Sequence, residues 1–286
     1  MINFGFVVHP RRQAALDLTQ SIVTWLEELG HKSFLLDADK EIQQKLSMST
    51  LEEVFPQLDL IIGLGGDGTV LRAVDLACSY DIPVLGINLG HLGYLSEVEP
   101  LSWKNALQAY LDGNYQIQQR LTIEVELDPK DKTFSSKIAN RIGLNEAVVE
   151  KALPGRSARL SISLGGSHFV TYTADGVIVS TPTGSTAYNL SARGPIVSPL
   201  LEALILTPVA PHTLFDRSLV LDASQPIRVE MVGGPPVVVV VDGHEFVELG
   251  QGDAVICRTG KQYAHFVTFD SPDFHGILKT KFGLNF

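Results

Sequence analysis

The segment Gly63-Leu64-Gly65-Gly66-Asp67-Gly68-Thr69 follows a short apolar run at 58–62 and precedes a helical pattern at 69–79. An apolar run without polar alternation is typical of a strand that is buried on both faces of a parallel sheet. Glycines allow close backbone approach, and the free N–H groups at the start of the following helix suit a phosphate group. The segment therefore predicts a strand–loop–helix unit with an anion-binding loop.

Asp67 is the unusual residue of this loop. A carboxylate repels phosphate unless a divalent cation lies between them or the carboxylate orients a nucleophilic hydroxyl. A structural interpretation is also open, in which Asp67 caps the helix. Gly63, Gly65 and Gly68 match GxGxxG, but the loop follows the third predicted strand, and Asn88 stands where a Rossmann cofactor site has an acidic residue. The pattern argues against a hydride-transferring dehydrogenase.

The first third of the chain alternates strand and helix patterns around this loop. Strands are predicted at 2–8, 33–36, 58–64 and 83–87, and helices at 11–29, 69–79 and 102–111, with one or two more in the polar stretch before residue 55. Such alternation is typical of a parallel, doubly wound sheet. We therefore predict an α/β N-terminal domain over residues 1–115.

Short β patterns dominate from residue 116 onward. They are separated by turn dipeptides such as Gly165-Gly166 and Asp242-Gly243. We predict a mostly β second domain at 116–270 and expect 271–286 to form a tail that packs back on the first domain.

Composition excludes several classes of protein. The 286 residues are 45% hydrophobic and carry a net charge of −10, which fits a globular protein and gives no general attraction to nucleic acid or anionic lipid. Two distant cysteines form no disulfide framework or metal motif. Without a signal-peptide or membrane-spanning pattern, we expect a cytoplasmic protein with no nucleic-acid or membrane partner.

Three segments of the second domain have candidate binding chemistry. The hydroxyl-rich segment 181–188 ends in Tyr188, which either stacks on a base or lies in the core behind a capped helix. Asn145-Glu146 either holds a ribose or an amide or ends a solvated strand. For Asp242-Gly243-His244-Glu245, a plain hairpin turn is the favoured interpretation.

Gly65-Gly66-Asp67-Gly68-Thr69 resembles the GGDGT motif of the superfamily of NAD kinases, diacylglycerol kinases and phosphofructokinases. Further segments are similar to the successive signatures of bacterial ATP-dependent NAD kinases, in the same order and over nearly the full length. They are Gly86-Ile87-Asn88, Gly93-Tyr94-Leu95, Asn145-Glu146, the segment 181–191, and Pro208 with Pro211-His212-Thr213-Leu214.

The resemblance implies a β-sandwich-like second domain and a phosphotransferase. Such an enzyme phosphorylates the 2′-hydroxyl of the adenosine ribose of NAD with ATP and a divalent metal, Mg²⁺. Asp67 is the expected proton acceptor or orienter of that hydroxyl, and it would share only a transient Mg²⁺ carried by ATP. The resemblance also implies a homodimer or homotetramer.

The resemblance further implies a set of substrate-binding residues. Gly68 and Arg72 would line the phosphate side, Asn145 and Glu146 would hold the adenosine, Asp175 would lie near the nicotinamide end, and Ala210 would lie beside the adenine. The remaining expected ligands are Arg159, Thr173, Thr186, Ala187, Tyr188, Asn189, Leu190, Ser191 and His244.

Thr173 carries no charge where relatives often have a basic residue. We therefore expect Asp175 to be less neutralised and the oxidised, cationic nicotinamide ring to be preferred over the reduced one. Two alternatives remain: a lipid kinase, which the net charge of −10 and the segment 181–191 disfavour, and a non-catalytic dinucleotide sensor, which the presence of Asp67 disfavours.

Overall fold

The structure is a computed structural model and describes residues 1–36, 52–90, 93–131, 140–269 and 274–284. The chain divides into two units, one of Met1–Gln119 with Ala264–Phe286 and one of Arg120–Tyr263. The helices predicted before residue 55 lie largely outside the described residues, which resume with the 3₁₀ helix Glu52–Gln57.

The first unit begins with a parallel sheet whose central strands are buried on both faces. Its first five strands are β1 (Asn3–Val8), β2 (Lys32–Leu35), β3 (Leu60–Gly65), β4 (Val84–Asn88) and β5 (Gln116–Arg120). β1 pairs in parallel with β2 on one side and with β3 on the other, and β3 pairs in parallel with β4. The α/β prediction with a parallel, doubly wound sheet is confirmed.

Three helices connect these strands. They are α1 (Gln13–Glu28), α2 (Asp67–Cys78) and α3 (Trp103–Leu111), with a short 3₁₀ helix, Pro100–Ser102, before α3. Leu16, Ile22, Val23 and Leu26 recur at helical spacing on α1 and share one buried core with β1 and β3. This burial holds the loops at the carboxyl edge of the sheet in place.

The second unit is a sandwich of two six-stranded antiparallel sheets. One has the order β10-β9-β14-β17-β6-β7 and the other β13-β12-β11-β8-β15-β16. Alternate residues of facing strands, such as Ile162, Val177, Val239 and Val255, share one buried core. The twelve strands are β6 (Ile123–Asp128), β7 (Asn140–Gly143), β8 (Glu146–Lys151), β9 (Ala158–Leu164), β10 (Ser167–Ala174), β11 (Gly176–Ser180), β12 (Ala203–Val209), β13 (Leu219–Asp222), β14 (Ile227–Gly233), β15 (Val237–Val241), β16 (His244–Leu249) and β17 (Ala254–Thr259).

The hydroxyl-rich segment forms two short helical turns in this unit. The 3₁₀ helix Thr183–Thr186 follows β11 and leads into α4 (Tyr188–Ser191). The sandwich-like β architecture predicted for the second domain is therefore confirmed.

The last strand, β18 (Ala264–Thr268), returns to the sheet of the first unit. The short β patterns assign β5 and β18 to the second domain, but the structure places both in the sheet order β2-β1-β3-β4-β18-β5. For β18 the physical reason is burial, since Phe266 pairs with Val84 of β4 and Val267 packs into the first core.

The final helix, α5 (Phe274–Phe282), also belongs to the first unit. There the Lys281 ammonium lies 5.0 Å from the centroid of the Tyr94 ring. Of the predicted tail at 271–286, residues 271–273 and 285–286 lie outside the described residues.

Candidate functional site

Asp67 is the first residue of α2, and Gly66 is the N-cap residue before it. The Asp67 carboxylate turns away from the helix backbone to a neighbouring loop. Its Oδ2 accepts a hydrogen bond from the Tyr94 N–H at 2.9 Å, and its Oδ1 accepts one from the Leu95 N–H at 3.2 Å. The helix-cap interpretation of Asp67 is therefore wrong, and two charge-assisted hydrogen bonds hold the carboxylate in one orientation.

Gly93 allows this contact. A Cβ atom at Gly93 would lie 2.1 Å from Asp67 Oδ1, so a side chain at this position would displace the carboxylate. Gly68 is exposed beside Asp67 in the first turn of α2. Because the first N–H groups of a helix have no partner within it, this turn can accept an anion next to the Asp67 carboxylate.

Arg72 brings a positive charge to the same edge of the sheet. Its half-buried guanidinium donates from Nη2 to the carbonyl oxygen of Val8, the last residue of β1, at 3.0 Å. Arg72 therefore lies beside the carboxyl ends of the central strands, where phosphate ligands of doubly wound folds bind.

Asn145 and Glu146 are held by a carboxylate that is distant in the sequence. The N–H groups of Leu144, Asn145 and Glu146 donate to the Asp242 carboxylate at 2.6, 2.8 and 3.0 Å. Asp242 adopts a left-handed conformation with φ of 48° between β15 and β16. The Asp-Gly pair thus makes the predicted hairpin turn and also anchors the start of β8, a role that sequence reasoning missed.

Glu146 is a buried carboxyl group with an unused oxygen. Its residue is 7% exposed, and Oε2 has no hydrogen-bond partner among the described residues. Burial, with the nearby Asp242 charge, raises the pKa of Glu146 to about 8, although the Tyr188 N–H donates to its carboxylate. Oε2 is therefore available to a ligand hydroxyl, and the solvated strand-end interpretation is wrong.

Tyr188 stands at the surface beside three carboxylates. The residue is 39% exposed, so it is not a core tyrosine. Partial burial raises the pKa of its phenol, and the charges of Glu150, Asp175 and Glu146 raise it further. The ring therefore combines an apolar face with an acidic surrounding, which suits a base or a cationic ring.

Asp175 forms an ion pair that the sequence pattern did not predict. Lys151 Nζ lies 2.6 Å from Asp175 Oδ1, and both side chains are partly buried. Lys151 is the last residue of β8, and Asp175 directly precedes β11, which pairs with β8. The Lys151 N–H donates to the Asp175 carbonyl at 2.9 Å. The expectation that an uncharged Thr173 leaves Asp175 less neutralised is wrong, because Lys151 supplies the positive charge.

Thr173, Arg159 and Ala210 lie close to Asp175 in the second unit. Thr173 pairs with Arg159 across β10 and β9, and the Asp175 N–H donates to the carbonyl of Val209 at 3.0 Å. Ala210 follows directly and is exposed with φ of 46°, a conformation that non-glycine residues rarely adopt. The structure therefore brings these predicted ligands to one end of the strands.

The other predicted ligands of the segment 186–191 differ from one another in burial. Asn189 is fully buried; its amide donates to the carbonyls of Ser185 and Pro195 and accepts from the Thr207 hydroxyl. Asn189 thus stabilises the segment around α4 through buried hydrogen bonds. The other predicted members of this segment, Thr186, Ala187, Leu190 and Ser191, are half-buried or exposed.

His244 begins β16 and is exposed. Its Nδ1 lies 3.1 Å from the Asp242 carbonyl oxygen. His244 is therefore close to the turn that anchors Asn145 and Glu146.

Two negative findings apply to the described parts of the chain. No group of three or more His, Cys, Asp or Glu side chains that could hold a metal ion occurs among them. None of the helices they contain is long and apolar enough to cross a membrane.

Comparison with known proteins assigns the family. Residues 4–115 match the model of the ATP-NAD kinase N-terminal domain, and residues 144–269 match that of the ATP-NAD kinase C-terminal domain. The NAD kinase of Caldanaerobacter subterraneus subsp. tengcongensis is 32% identical over 283 residues, covering 98% of this chain and 99% of that protein. This chain belongs to the NAD kinase family. The resemblance read from the sequence motifs is therefore confirmed.

Another relative and two solved structures agree with this assignment. The NAD kinase of Geobacter metallireducens is 36% identical over 282 residues, covering 97% of this chain and 96% of that protein. The structure of yeast NADH kinase complexed with NADH has a TM-score of 0.91 and 26% identity, covering 100% of this chain and 88% of that one. An Archaeoglobus fulgidus NAD kinase in complex with ATP, 22% identical with a TM-score of 0.73 and 98% coverage of both chains, shares the fold.

Proposed function

We propose that the protein phosphorylates NAD with ATP at the 2′-hydroxyl of the adenosine ribose, giving NADP and ADP. The observation that carries this proposal is the Asp67 carboxylate, held by the N–H groups of Tyr94 and Leu95 at the start of α2 in a member of the NAD kinase family. A lipid kinase or a non-catalytic sensor has no comparable support.

Asp67 has the role of proton acceptor in this reaction. The ribose 2′-oxygen attacks the γ-phosphorus of ATP, the bond between that phosphorus and the bridging oxygen to the β-phosphate breaks, and ADP leaves. The proton of the hydroxyl passes to the Asp67 carboxylate. A carboxylate fixed by two N–H donors is oriented before the substrate arrives, which is the geometric requirement for general base catalysis.

A Mg²⁺ ion carried by ATP fits the residues present. Mg²⁺ in phosphoryl-transfer enzymes is bound by substrate phosphates and one or two carboxylates. Asp67 retains acceptor capacity beyond its two backbone hydrogen bonds, since a carboxylate has about four acceptor positions. Mg²⁺ would neutralise phosphate charge there, while Gly68 and Arg72 line the phosphate side.

The second unit binds the dinucleotide in this proposal. Glu146 Oε2, which is buried without a partner among the described residues, forms a hydrogen bond with a ribose hydroxyl, and Asn145 binds beside it. Tyr188 contacts a ring of NAD, and Asp175 lies near the nicotinamide end. The other candidate contacts are Arg159, Thr173, Thr186, Ala187, Asn189, Leu190, Ser191, Ala210 and His244.

A cytoplasmic homodimer or homotetramer completes the proposal. Its support is a set of exposed apolar side chains in the second unit, among them Phe169, Leu200, Leu201 and Leu214. The two cysteines, Cys78 and Cys257, are free and buried, as expected in a reducing compartment.

A product assay tests the function. The purified protein is incubated with NAD, ATP and Mg²⁺, and NADP is detected with an NADP-specific dehydrogenase. Asp67→Asn protein, purified identically, controls for a contaminating kinase. We expect NADP from the wild type and almost none from the variant; phosphorylation of diacylglycerol vesicles without NADP formation would support the lipid kinase instead.

A further inference from the structure

Two loops flank the topological switch point of the first sheet. β1 lies between β2 and β3, so the chain leaves β1 in one direction for β2 and continues on the other side with β3. Ligands of open α/β sheets bind outside the carboxyl ends of the strands at such a point. The loop after β3 is the glycine-rich loop of Asp67, and the loop after β1 is His9-Pro10-Arg11-Arg12.

Arg12 reaches from its loop to the glycine-rich side of this crevice. Its Nη1 donates to the carbonyl oxygen of Leu89 at 2.8 Å. The N–H of Leu89 donates in turn to the carbonyl of Gly65, the last residue of β3, at 2.9 Å. Leu89 therefore links the Arg12 guanidinium to β3, the strand that leads into the Asp67 loop.

Gly90 leaves the space in which the Arg12 guanidinium lies. A Cβ atom at Gly90 would lie 2.9 Å from Arg12 Nη1 and 3.6 Å from Nη2. The guanidinium thus packs against the Gly90 backbone, in space that the Cβ atom of any other residue would occupy. The far end of an arginine can move, so a side chain at this position would displace the guanidinium rather than the backbone.

Charge and geometry point to one ligand class for Arg12. The side chain is exposed, and the hydrogen bond to Leu89 is its only one within the described residues, which leaves most of its five N–H donors available. A triphosphate bound beside the Asp67 carboxylate, in a chain of net charge −10, requires cations. The arginine fork matches phosphate oxygens in geometry as well as charge.

We infer that Arg12 binds the phosphates of the donor nucleotide and so positions the triphosphate at the switch point between β1 and β3. This inference rests on the proposed function. It adds to the phosphate side a residue that the motifs did not indicate.

Substitution of Arg12 provides the first test. Arg12→Gln should raise KM for ATP about 10- to 100-fold, as expected for loss of a charge-assisted phosphate contact, and leave KM for NAD within about two-fold. Arg12→Lys, which retains the charge without the fork, should give an intermediate KM for ATP. Arg217→Gln is the matched control, because Arg217 is a largely exposed arginine of the second unit.

Gly90→Ala tests the placement of the guanidinium without removing its charge. It should raise KM for ATP several-fold in the wild-type background and have almost no effect in the Arg12→Gln background, because residues that act through one contact are not additive. Equal effects of Gly90→Ala in both backgrounds would show that the loop, and not Arg12, is responsible.

Inorganic tripolyphosphate is the probe for the phosphates alone. It should inhibit the wild type competitively with ATP and inhibit Arg12→Gln about 10-fold or more weakly. Wild-type NADP formation with an unchanged KM for ATP in Arg12→Gln would overturn this inference alone. Absence of NADP formation by the wild type, with tripolyphosphate binding still dependent on Arg12, would overturn the proposed function and leave the phosphate site.

Discussion

Asp242 and Glu146 are joined by two hydrogen bonds that run in opposite directions, one to the Asp242 carboxylate and one to the Glu146 backbone. The Glu146 N–H donates to Asp242 Oδ1 at 3.0 Å, and the Asp242 N–H donates to the Glu146 carbonyl oxygen at 3.1 Å. Their carboxylates repel each other, and this repulsion adds to the burial that raises the pKa of Glu146 to about 8. One aspartate therefore both places the Asn145–Glu146 segment and favours the protonated form of its glutamic acid.

Replacement of Asp242 should disturb this segment. Asp242→Asn keeps one side-chain oxygen but loses the charge that three N–H groups share, so we expect a loss of about 1–3 kcal/mol in the free energy of unfolding. KM for NAD should rise more than KM for ATP. Asp222→Asn is the control, because Asp222 accepts from Ser224 in an exposed turn of the same unit. Equal losses of stability in both variants would contradict the anchoring role.

Glu146 should make stability depend on pH. Its pKa rises from 4.5 in the unfolded chain to about 8 in the folded protein, so the folded state binds the extra proton in this window. The free energy of unfolding should therefore fall as pH increases from about 5 to about 8, by up to about 1.4 kcal/mol per pH unit for this group.

Glu146→Gln removes this titration, because the amide carries no ionisable proton. Urea unfolding of both proteins at several pH values should give a flatter pH dependence for the variant, with the difference largest near the alkaline end. Parallel curves would mean that Glu146 is ionised in the folded protein throughout this range.

Asp67→Asn should retain the fold and lose most of the activity. Loss of a positioned general base lowers kcat by about 10²–10⁴. The amide oxygen can still accept one hydrogen bond from the Gly93–Leu95 loop, so the melting temperature should change little. A kcat within a few-fold of the wild type would show that Asp67 only holds that loop.

Tyr188→Ala should weaken the binding of NAD far more than the binding of ATP. Loss of an aromatic contact to a ring costs about 1–3 kcal/mol, or about 5- to 150-fold in affinity. Tyr188→Phe keeps the ring and should keep most of the affinity. Isothermal titration with each nucleotide separates the two ligands, and a large fall in melting temperature with unchanged NAD affinity would indicate a structural role.

Lys151→Met should change the choice between oxidised and reduced dinucleotide. Without Lys151, the Asp175 carboxylate loses its cation at 2.6 Å and would favour the cationic, oxidised nicotinamide ring. We expect the ratio of kcat/KM for NAD to that for NADH to increase about ten-fold at an effective dielectric constant near 20. Lys104→Met, in the first unit, is the control. An unchanged ratio would place Asp175 away from the ring.

Local patterns in the sequence predict many of the strands and helices of the fold. The apolar run before Gly63 is β3, the helical spacing after it is α2, and the short alternating runs of the second half are strands, because burial on one or both faces determines these periods within a few residues. The motif around Asp67 pointed to the family because its residue types stand together in one continuous stretch of sequence.

Only the tertiary structure decided which distant residues meet. Asp242 binds Asn145 across 97 positions, Lys151 neutralises Asp175, and β18 completes the sheet of the first unit beside β4. Arg12 meets Leu89 across 77 positions. These contacts depend on which strands pair and in which register, and that choice is made by the burial of whole sheets rather than by the residues on either side of each contact.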